Sequence, residues 1–184
     1  MAAAALMSEA LEPTLQGVLE WQNQLIADNL RRIFLLIYRM VGSVADAQDL
    51  TQETFIKALQ RRNQLKDAER AAQWLSRIAT NTAIDFLRRH GRVTWCELDE
   101  AGEPLPDAIR TPEQMLLDSE RRELLQEALQ RLTPRERAAL ILRDIEELPA
   151  EEVARHLNCS KATVRSHIAN ARVKFRRFLA RRSR

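Results

Sequence analysis

The chain has 184 residues, with four glycines, one tyrosine, two cysteines and a charged fraction of 30%. An abundance of Leu, Ala, Arg, Glu and Gln with so little glycine predicts an all-α protein. Cys96 and Cys159 alone make no disulfide framework, and the longest strongly apolar run, Ile33 to Tyr38, is far too short to span a bilayer. The start, MAAAALMSEALEP, lacks the basic leader and apolar run of a signal peptide, so the expected location is the cytoplasm, without direct membrane insertion. The net charge of +3 hides an uneven distribution. Residues 1–24 carry three acids and no base; residues 25–92 carry twelve bases against seven acids. Residues 93–120 reverse this with eight acids and one base, and residues 121–184 hold sixteen bases against eight acids. Two basic blocks around an acidic connector point to two separate contacts with a polyanion.

Residues 1–24 hold no motif and read as an N-terminal extension, either a frayed tail or one amphipathic helix around Leu15 to Leu25. From Asp28 a helix is predicted, with Leu30, Ile33, Phe34, Ile37 and Val41 inward and Gly42 placed to end it. Ser43 can cap the next helix, VADAQDLTQETFIKALQRR. There Asp46, Asp49, Glu53 and Lys57 fall at steps of three and four and share a face, with Gln52 beside it. Acids near a helix start also complement its dipole, so charge pattern alone leaves a binding role open. After a polar stretch, Arg61 to Arg70, comes AAQWLSRIATNTAIDFLRRHGR. Its Trp74, Leu75, Ile78, Ala79, Thr82 and Phe86 are mostly core-directed, while Arg77, Asn81, Asp85 and Arg88 make a polar and cationic face that Arg89 extends. Cations, amides and nearby aromatics suit a single-stranded nucleic acid, which offers backbone charge and unstacked bases.

Residues 93–112, with Gly102, Pro104, Pro106 and clustered acids, read as a flexible linker. Thr111-Pro112-Glu113 starts a long helix through Leu132, with Met115, Leu116, Leu124, Leu125, Ala128, Leu129 and Leu132 on its apolar side. Thr133-Pro134-Arg135-Glu136 is a capping box with proline at the first helical position. A further helix from Pro149 carries Val153, Ala154 and Leu157. Asn158-Cys159-Ser160 makes a short turn, and Ser160 caps a last helix whose Val164, Ile168, Ala171, Phe175 and Phe178 form one stripe. Its first turns present Ser160, Lys161, Thr163, Arg165, Ser166 and His167 as donors at a helix end that a major groove admits. The fold class is therefore two small helical domains, residues 25–92 and 113–184, joined by an acidic linker, the second a helix-turn-helix.

Taken together, DAQDLTQETFIKAL, WLSRIATNTAIDFLRRHGR and LTPRERAALILRDIEELPAEEVARHLNCSKATVRSHIANAR resemble, in order and spacing, a bacterial sigma factor of the extracytoplasmic-function group. The resemblance implies a protein without catalysis of its own that binds core RNA polymerase and recognises and opens a two-part promoter. Asp46, Asp49, Gln52 and Glu53 would face the polymerase. Arg77, Asn81, Asp85, Arg88, Arg89 and the loop from Arg61 to Arg70 would face the melted minus-ten strand. Ser160, Lys161, Thr163, Arg165, Ser166 and His167 would meet the minus-thirty-five duplex, with Arg172 and Lys174 as phosphate contacts. An anti-sigma factor is a further implied partner. Departures from the family pattern are Ala162 in place of glycine, and Ser166-His167-Ile168 and Asn170-Ala171-Arg172 in place of arginine-richer runs.

The C-terminal stretch alone also resembles the helix-turn-helix of response-regulator activators, which would make the chain an autonomous regulator. That alternative requires a phosphoacceptor or ligand-binding domain upstream, which residues 25–92 do not suggest. An enzyme or metalloprotein would need reactive groups brought together. His156 and Cys159 are spaced H-x-x-C, but His90, Cys96 and His167 complete no four-ligand set, so no metal, cofactor or catalytic residue is expected.

Overall fold

The computed structural model describes residues 2–65, 67, 70–90 and 124–182, with side chains from residue 16 onward. The linker 93–112, the Thr111 cap, Met115, Leu116, Arg92 and Cys96 lie outside the described residues. Those that are described form helices and turns only.

Helix α1 runs unbroken over Ala2–Val41, about 60 Å at 1.5 Å per residue. The expected start at Asp28 is thus too late: no proline interrupts residues 14–41, and the helix continues upstream. Its buried stripe is Leu25, Ile33, Leu36, Ile37, Met40 and Val41. Leu30, expected inward, is 48% exposed, and Asn29 takes the core-facing position instead. The Asn29 amide donates to the Leu25 carbonyl at 2.9 Å, which satisfies a polar group in an apolar setting. Gly42 ends α1 in the left-handed region, φ 84°, and its N–H donates to the Tyr38 carbonyl at 2.8 Å.

Ser43 then caps α2, Val44–Gln60, accepting from the Asp46 N–H at 3.2 Å. Leu50, Thr54, Phe55 and Ala58 of α2 are buried. A 3-10 turn, Arg62–Gln64, leads toward α3, Ala71–His90, which buries Trp74, Leu75, Ile78, Ala79 and Thr82. Buried hydroxyls bond back to their own helix: Thr54 to the Leu50 carbonyl, Thr51 to Ala47 and Thr80 to Ser76. Helices α1, α2 and α3 all pack on one another.

The second unit begins with the helical residues 124–130, α4, followed by α5, Pro134–Leu140. Both halves of the predicted capping box form, Glu136 N–H to Thr133 Oγ1 at 3.3 Å and Thr133 N–H to Glu136 Oε2 at 2.9 Å. Lys174 donates to the same Glu136 oxygen at 2.6 Å. Burial works against the Glu136 carboxylate, but the Lys174 and Thr133 hydrogen bonds outweigh it and hold its pKa below the usual range. A π-turn over Ile141–Ile145 and a left-handed Glu147 (φ 55°) redirect the chain into α6, Ala150–Leu157. Asn158, φ 49°, caps α6, and α7 spans Lys161–Arg182.

Where two small helical domains are expected, buried side chains of both units, from Leu25 to Val164, form one continuous cluster. Helix α3 packs on α5 and α6. Arg137 of α5 is buried and joins three elements: Nη1 donates to the Met40 carbonyl of α1 at 2.7 Å, and Nε to the Leu129 carbonyl of α4 at 3.1 Å. Burial lowers its pKa to about 10, which still leaves it charged at neutral pH. Arg39 and Glu146 pair beside it at 2.5 Å. His156 of α6 is 3% exposed, and its Nδ1 has no hydrogen-bond partner. Burial, reinforced by Arg77, Arg32 and Arg155, pushes its pKa down to about 4. None of the described helices is long and apolar enough to cross a membrane.

Replacing Arg137 by alanine takes the side-chain donor from the buried Met40 carbonyl, leaves the Leu129 carbonyl with only the Leu132 N–H, and opens a cavity, so Arg137→Ala is expected to lower unfolding stability by about 2–4 kcal/mol. Urea unfolding checks this, and a loss under about half a kcal/mol would mean the buried guanidinium is a net burden. For His156 the unfolded chain binds a proton that the folded chain refuses between about pH 6.5 and 4. Stability therefore falls as pH drops through that window, by at most about 3 kcal/mol, and levels off below it. His156→Gln should flatten this slope relative to the parent in paired urea titrations; equal slopes would assign the titration to other groups.

Candidate nucleic-acid interface

Three surfaces carry the residues singled out from the sequence. On α2, Asp49 and Gln52 are exposed, whereas Asp46 and Glu53 are partly buried. Helical spacing aligns these four, and Glu53 pairs with Lys57 at 2.7 Å. Ile56, one turn beyond Gln52, is 56% exposed and adds an apolar element to this polar face. Sequence reading missed Ile56, because one apolar residue on an amphipathic helix is assigned to the core by default.

The second surface is a cavity of about 160 Å³ between the end of α2 and the outer face of α3. Lys57, Arg61 and Gln64 form one wall; Trp74, Arg77 and Ile78 with Asn81, Thr82 and Asp85 form the other. Among the described residues three cations thus surround it against one acid, Asp85, which lies 3.9 Å from Arg88. Trp74 is a core residue and a cavity wall at once, since only 8% of it is exposed. The Asn81 side-chain N–H donates to the Arg77 carbonyl at 2.8 Å. The amide is thereby oriented with its oxygen left as an acceptor. Arg77, Asn81 and Asp85 are brought together here as their spacing predicts. Arg88 sits at the edge through Asp85, and Arg89 turns back on its own helix, donating to the Asp85 carbonyl at 3.3 Å. Lys57 is the residue that spacing did not mark for this site. It donates to Thr82 Oγ1 of α3 at 3.1 Å while paired to Glu53, so it links the first surface to the second.

The third surface is the start of α7. Ser160 Oγ caps it, accepting from the Thr163 N–H at 3.1 Å and lying 2.9 Å from Thr163 Oγ1. Lys161 pairs with Glu151 of α6 at 2.9 Å, and this bond holds the Glu151 carboxyl below its usual pKa. Arg165 and Ser166 are exposed, although Ser166 donates to the Ala162 carbonyl at 3.1 Å. The structure therefore gathers Ser160, Lys161, Thr163, Arg165 and Ser166 on one helix end. His167 stands apart: it is half-buried, and its Nε2 is enclosed without a hydrogen-bond partner. Arg172 is held by Asp144 at 3.0 and 3.1 Å, and Lys174 by Glu136 at 2.6 Å. In this arrangement both serve the packing of α7 on α5 and the π-turn. Among the described residues no group of three or more His, Cys, Asp or Glu side chains is placed to hold a metal.

Residues 25–93 match the family described as Sigma-70 region 2, and residues 122–175 match Sigma-70, region 4. The chain is 39% identical over 168 residues to the ECF RNA polymerase sigma factor SigE of Mycolicibacterium smegmatis, covering 91% of this chain and 65% of that protein. It therefore spans about two thirds of that relative's length. It is 37% identical over 149 residues to the RNA polymerase sigma-H factor of Pseudomonas aeruginosa, covering 77% of each. Among solved structures, the sigma factor RpoE of Bartonella quintana, crystallised with the anti-sigma factor NepR, superposes with a TM-score of 0.61. At 21% identity over 86% of this chain and 96% of that one, the likeness concerns the fold. With both regions matched in order, and with 33% identity over 158 residues to the ECF RNA polymerase sigma-E factor of Escherichia coli (strain K12), covering 82% of each, the chain belongs to the extracytoplasmic-function (ECF) group of RNA polymerase sigma factors.

Proposed function

We propose that this protein binds core RNA polymerase through the α2 face and directs it to a two-part promoter, which it helps to open. The observation that carries the reading is the coexistence, on one chain, of a helix-turn-helix donor face and a separate cationic cavity with an aromatic wall. Duplex DNA suits the first, because α7 presents donors where base edges are exposed in a major groove. An unstacked base suits the second, where stacking lost on melting is offset by contacts in a pocket. Asp49, Gln52 and Glu53 with Ile56 supply a mixed polar and apolar surface for the polymerase. The protein works in the cytoplasm without a catalytic residue of its own, and an anti-sigma factor is its expected antagonist. Residues 25–92 and 113–184 act as two domains, with residues 93–112 as the connector.

Distance adds a requirement. Promoter elements centred near minus ten and minus thirty-five are roughly 85 Å apart at about 3.4 Å per base pair. Here α3 packs on α6 and α6 on α7, so the axes of the two helices that carry the reading faces are two packing steps, roughly 20 Å, apart. The docked arrangement is accordingly the form free of promoter, and the two units separate when both elements are engaged.

A paired test assigns the surfaces. Asp49→Ala should weaken binding to purified core polymerase about tenfold or more while circular dichroism stays unchanged; unfolding instead would reduce Asp49 to a helix-dipole role. Lys161→Ala with Arg165→Ala should weaken duplex binding and flatten its salt dependence by about one counterion per cation lost. Unaltered salt slopes would mean that another face of α7 meets the DNA.

A further inference from the structure

His156 is a buried ionisable side chain for which the three exposed surfaces have no use. It lies on α6, and its neighbours there, Val153, Ala154 and Leu157, belong to the core that joins the two units. Two of the three arginines whose charge reaches it, Arg77 of α3 and Arg32 of α1, belong to the first unit; the third, Arg155, is on its own helix. The ring therefore lies at the seam where α6 packs on α3. Its Nδ1 is enclosed there without a hydrogen-bond partner, so nothing at that nitrogen is placed to accept from a protonated ring.

The surroundings supply cations and paired acids. From α5 come Arg135, whose Nη1 donates to the Leu157 carbonyl at 3.3 Å, and Glu136, held by Lys174. From α7 come Lys161 and Arg165, both acting on Glu151 of α6, and His167, whose enclosed Nε2 also lacks a partner. The π-turn brings Arg143, donating to the Leu148 carbonyl, and Asp144, held by Arg172. Glu152 of α6 is paired with Arg155. Each carboxylate named here thus has a cation of its own. An imidazolium at the seam would meet like charge from both units in an apolar setting.

We propose that His156 is an acid-responsive latch: proton uptake by its ring releases α6 from α3 and parts the two units while each keeps its helices. Opening admits water to the ring and restores its ordinary pKa near 6.5, against about 4 in the docked form. The open form takes up the proton that the docked form refuses between those values. Docking is therefore firmest above about pH 6.5 and weakens as pH falls toward 4. Linkage raises the ratio of open to docked molecules about tenfold between about pH 7.5 and about pH 5.5. Arg137 and the Arg39–Glu146 pair also cross the seam; they set the balance at neutral pH, and His156 sets how it moves with acid. The latch rests on the docked arrangement alone. That an opened chain is readier for a two-part promoter rests on the function proposed above, which transcription assays test separately.

The test uses the full chain, free of DNA and polymerase, with one fluorescent dye at Gln60 of α2 and another at Arg176 of α7, both exposed. Single-molecule energy transfer counts docked and separated molecules from about pH 7.5 to about pH 5.5, with far-UV circular dichroism in parallel. For the parent, the ratio of separated to docked molecules should rise about tenfold while helicity stays constant. His156→Gln, which carries no titrating ring, should hold that change below about twofold whatever its ratio at neutral pH. His156→Leu, apolar and suited to the core, should do the same, so the outcome does not hang on how one variant packs. A tenfold rise retained in both variants would assign the opening to other groups and overturn the proposal. A parent ratio that does not move with pH would overturn it equally, and so would helicity lost together with energy transfer, because acid would then unfold the chain rather than part it.

Discussion

The buried guanidinium of Arg137 donates to main-chain oxygens at the end of α1 and in α4, and so closes the two halves of the chain on each other. A helix that ends inside a protein leaves carbonyls in need of donors. Gly42 satisfies one at the end of α1, and Arg137, 97 residues away from Met40 in sequence, satisfies another. Among the described residues its hydrogen-bond partners are main-chain carbonyls, and burial draws the pKa down to about 10. Around it the apolar stripes of α1, α3, α5 and α6 merge into one core, with Arg39 and Glu146 at its edge.

That closure decides how the functional surfaces are disposed. The α2 face and the start of α7 remain exposed, while Arg77 borders the base-sized cavity and also lies close enough to His156 of α6 to disfavour its protonation. One side of α3 is consequently shared between the cavity proposed to take nucleic acid and the packing of the second unit. A histidine kept neutral against three nearby arginines, without a partner for Nδ1, is a point of weakness in that packing rather than a bond. Away from Arg137 and the Arg39–Glu146 pair, hydrophobic contact holds the halves together, and the buried imidazole is tolerated there at some cost. An interface of this kind can hold without a promoter and yield to one that supplies contacts at both ends.

Local rules made most of the fold legible before any coordinates. Ser43, Thr133, Ser160, Gly42 and the Asn158 turn all act where capping chemistry assigns them, because caps depend only on neighbours in sequence. Helical spacing likewise put Arg77, Asn81 and Asp85 on one face. What stayed hidden depends on partners distant in sequence. Leu30 and Asn29 exchange their expected environments because the neighbouring helices, not hydropathy, set the angle of the α1 stripe. Lys57 reads as one more charge on a solvated face until α3 brings Thr82 to it. Arg172 and Lys174 look like free phosphate contacts until Asp144 and Glu136 are seen beside them. The joining of two expected cores into one could not be read from periodicity, which reports that a face is buried and not what buries it.

On the proposed function, the chain makes core polymerase initiate at promoters which core alone ignores. Run-off transcription on a genome-wide promoter selection, with purified core enzyme and with or without this protein, tests it most directly. Discrete transcripts that require both the protein and two upstream elements are the predicted result. Transcription unchanged by the protein on every selected fragment, despite a folded and DNA-binding chain, would contradict the account and favour an autonomous helix-turn-helix regulator.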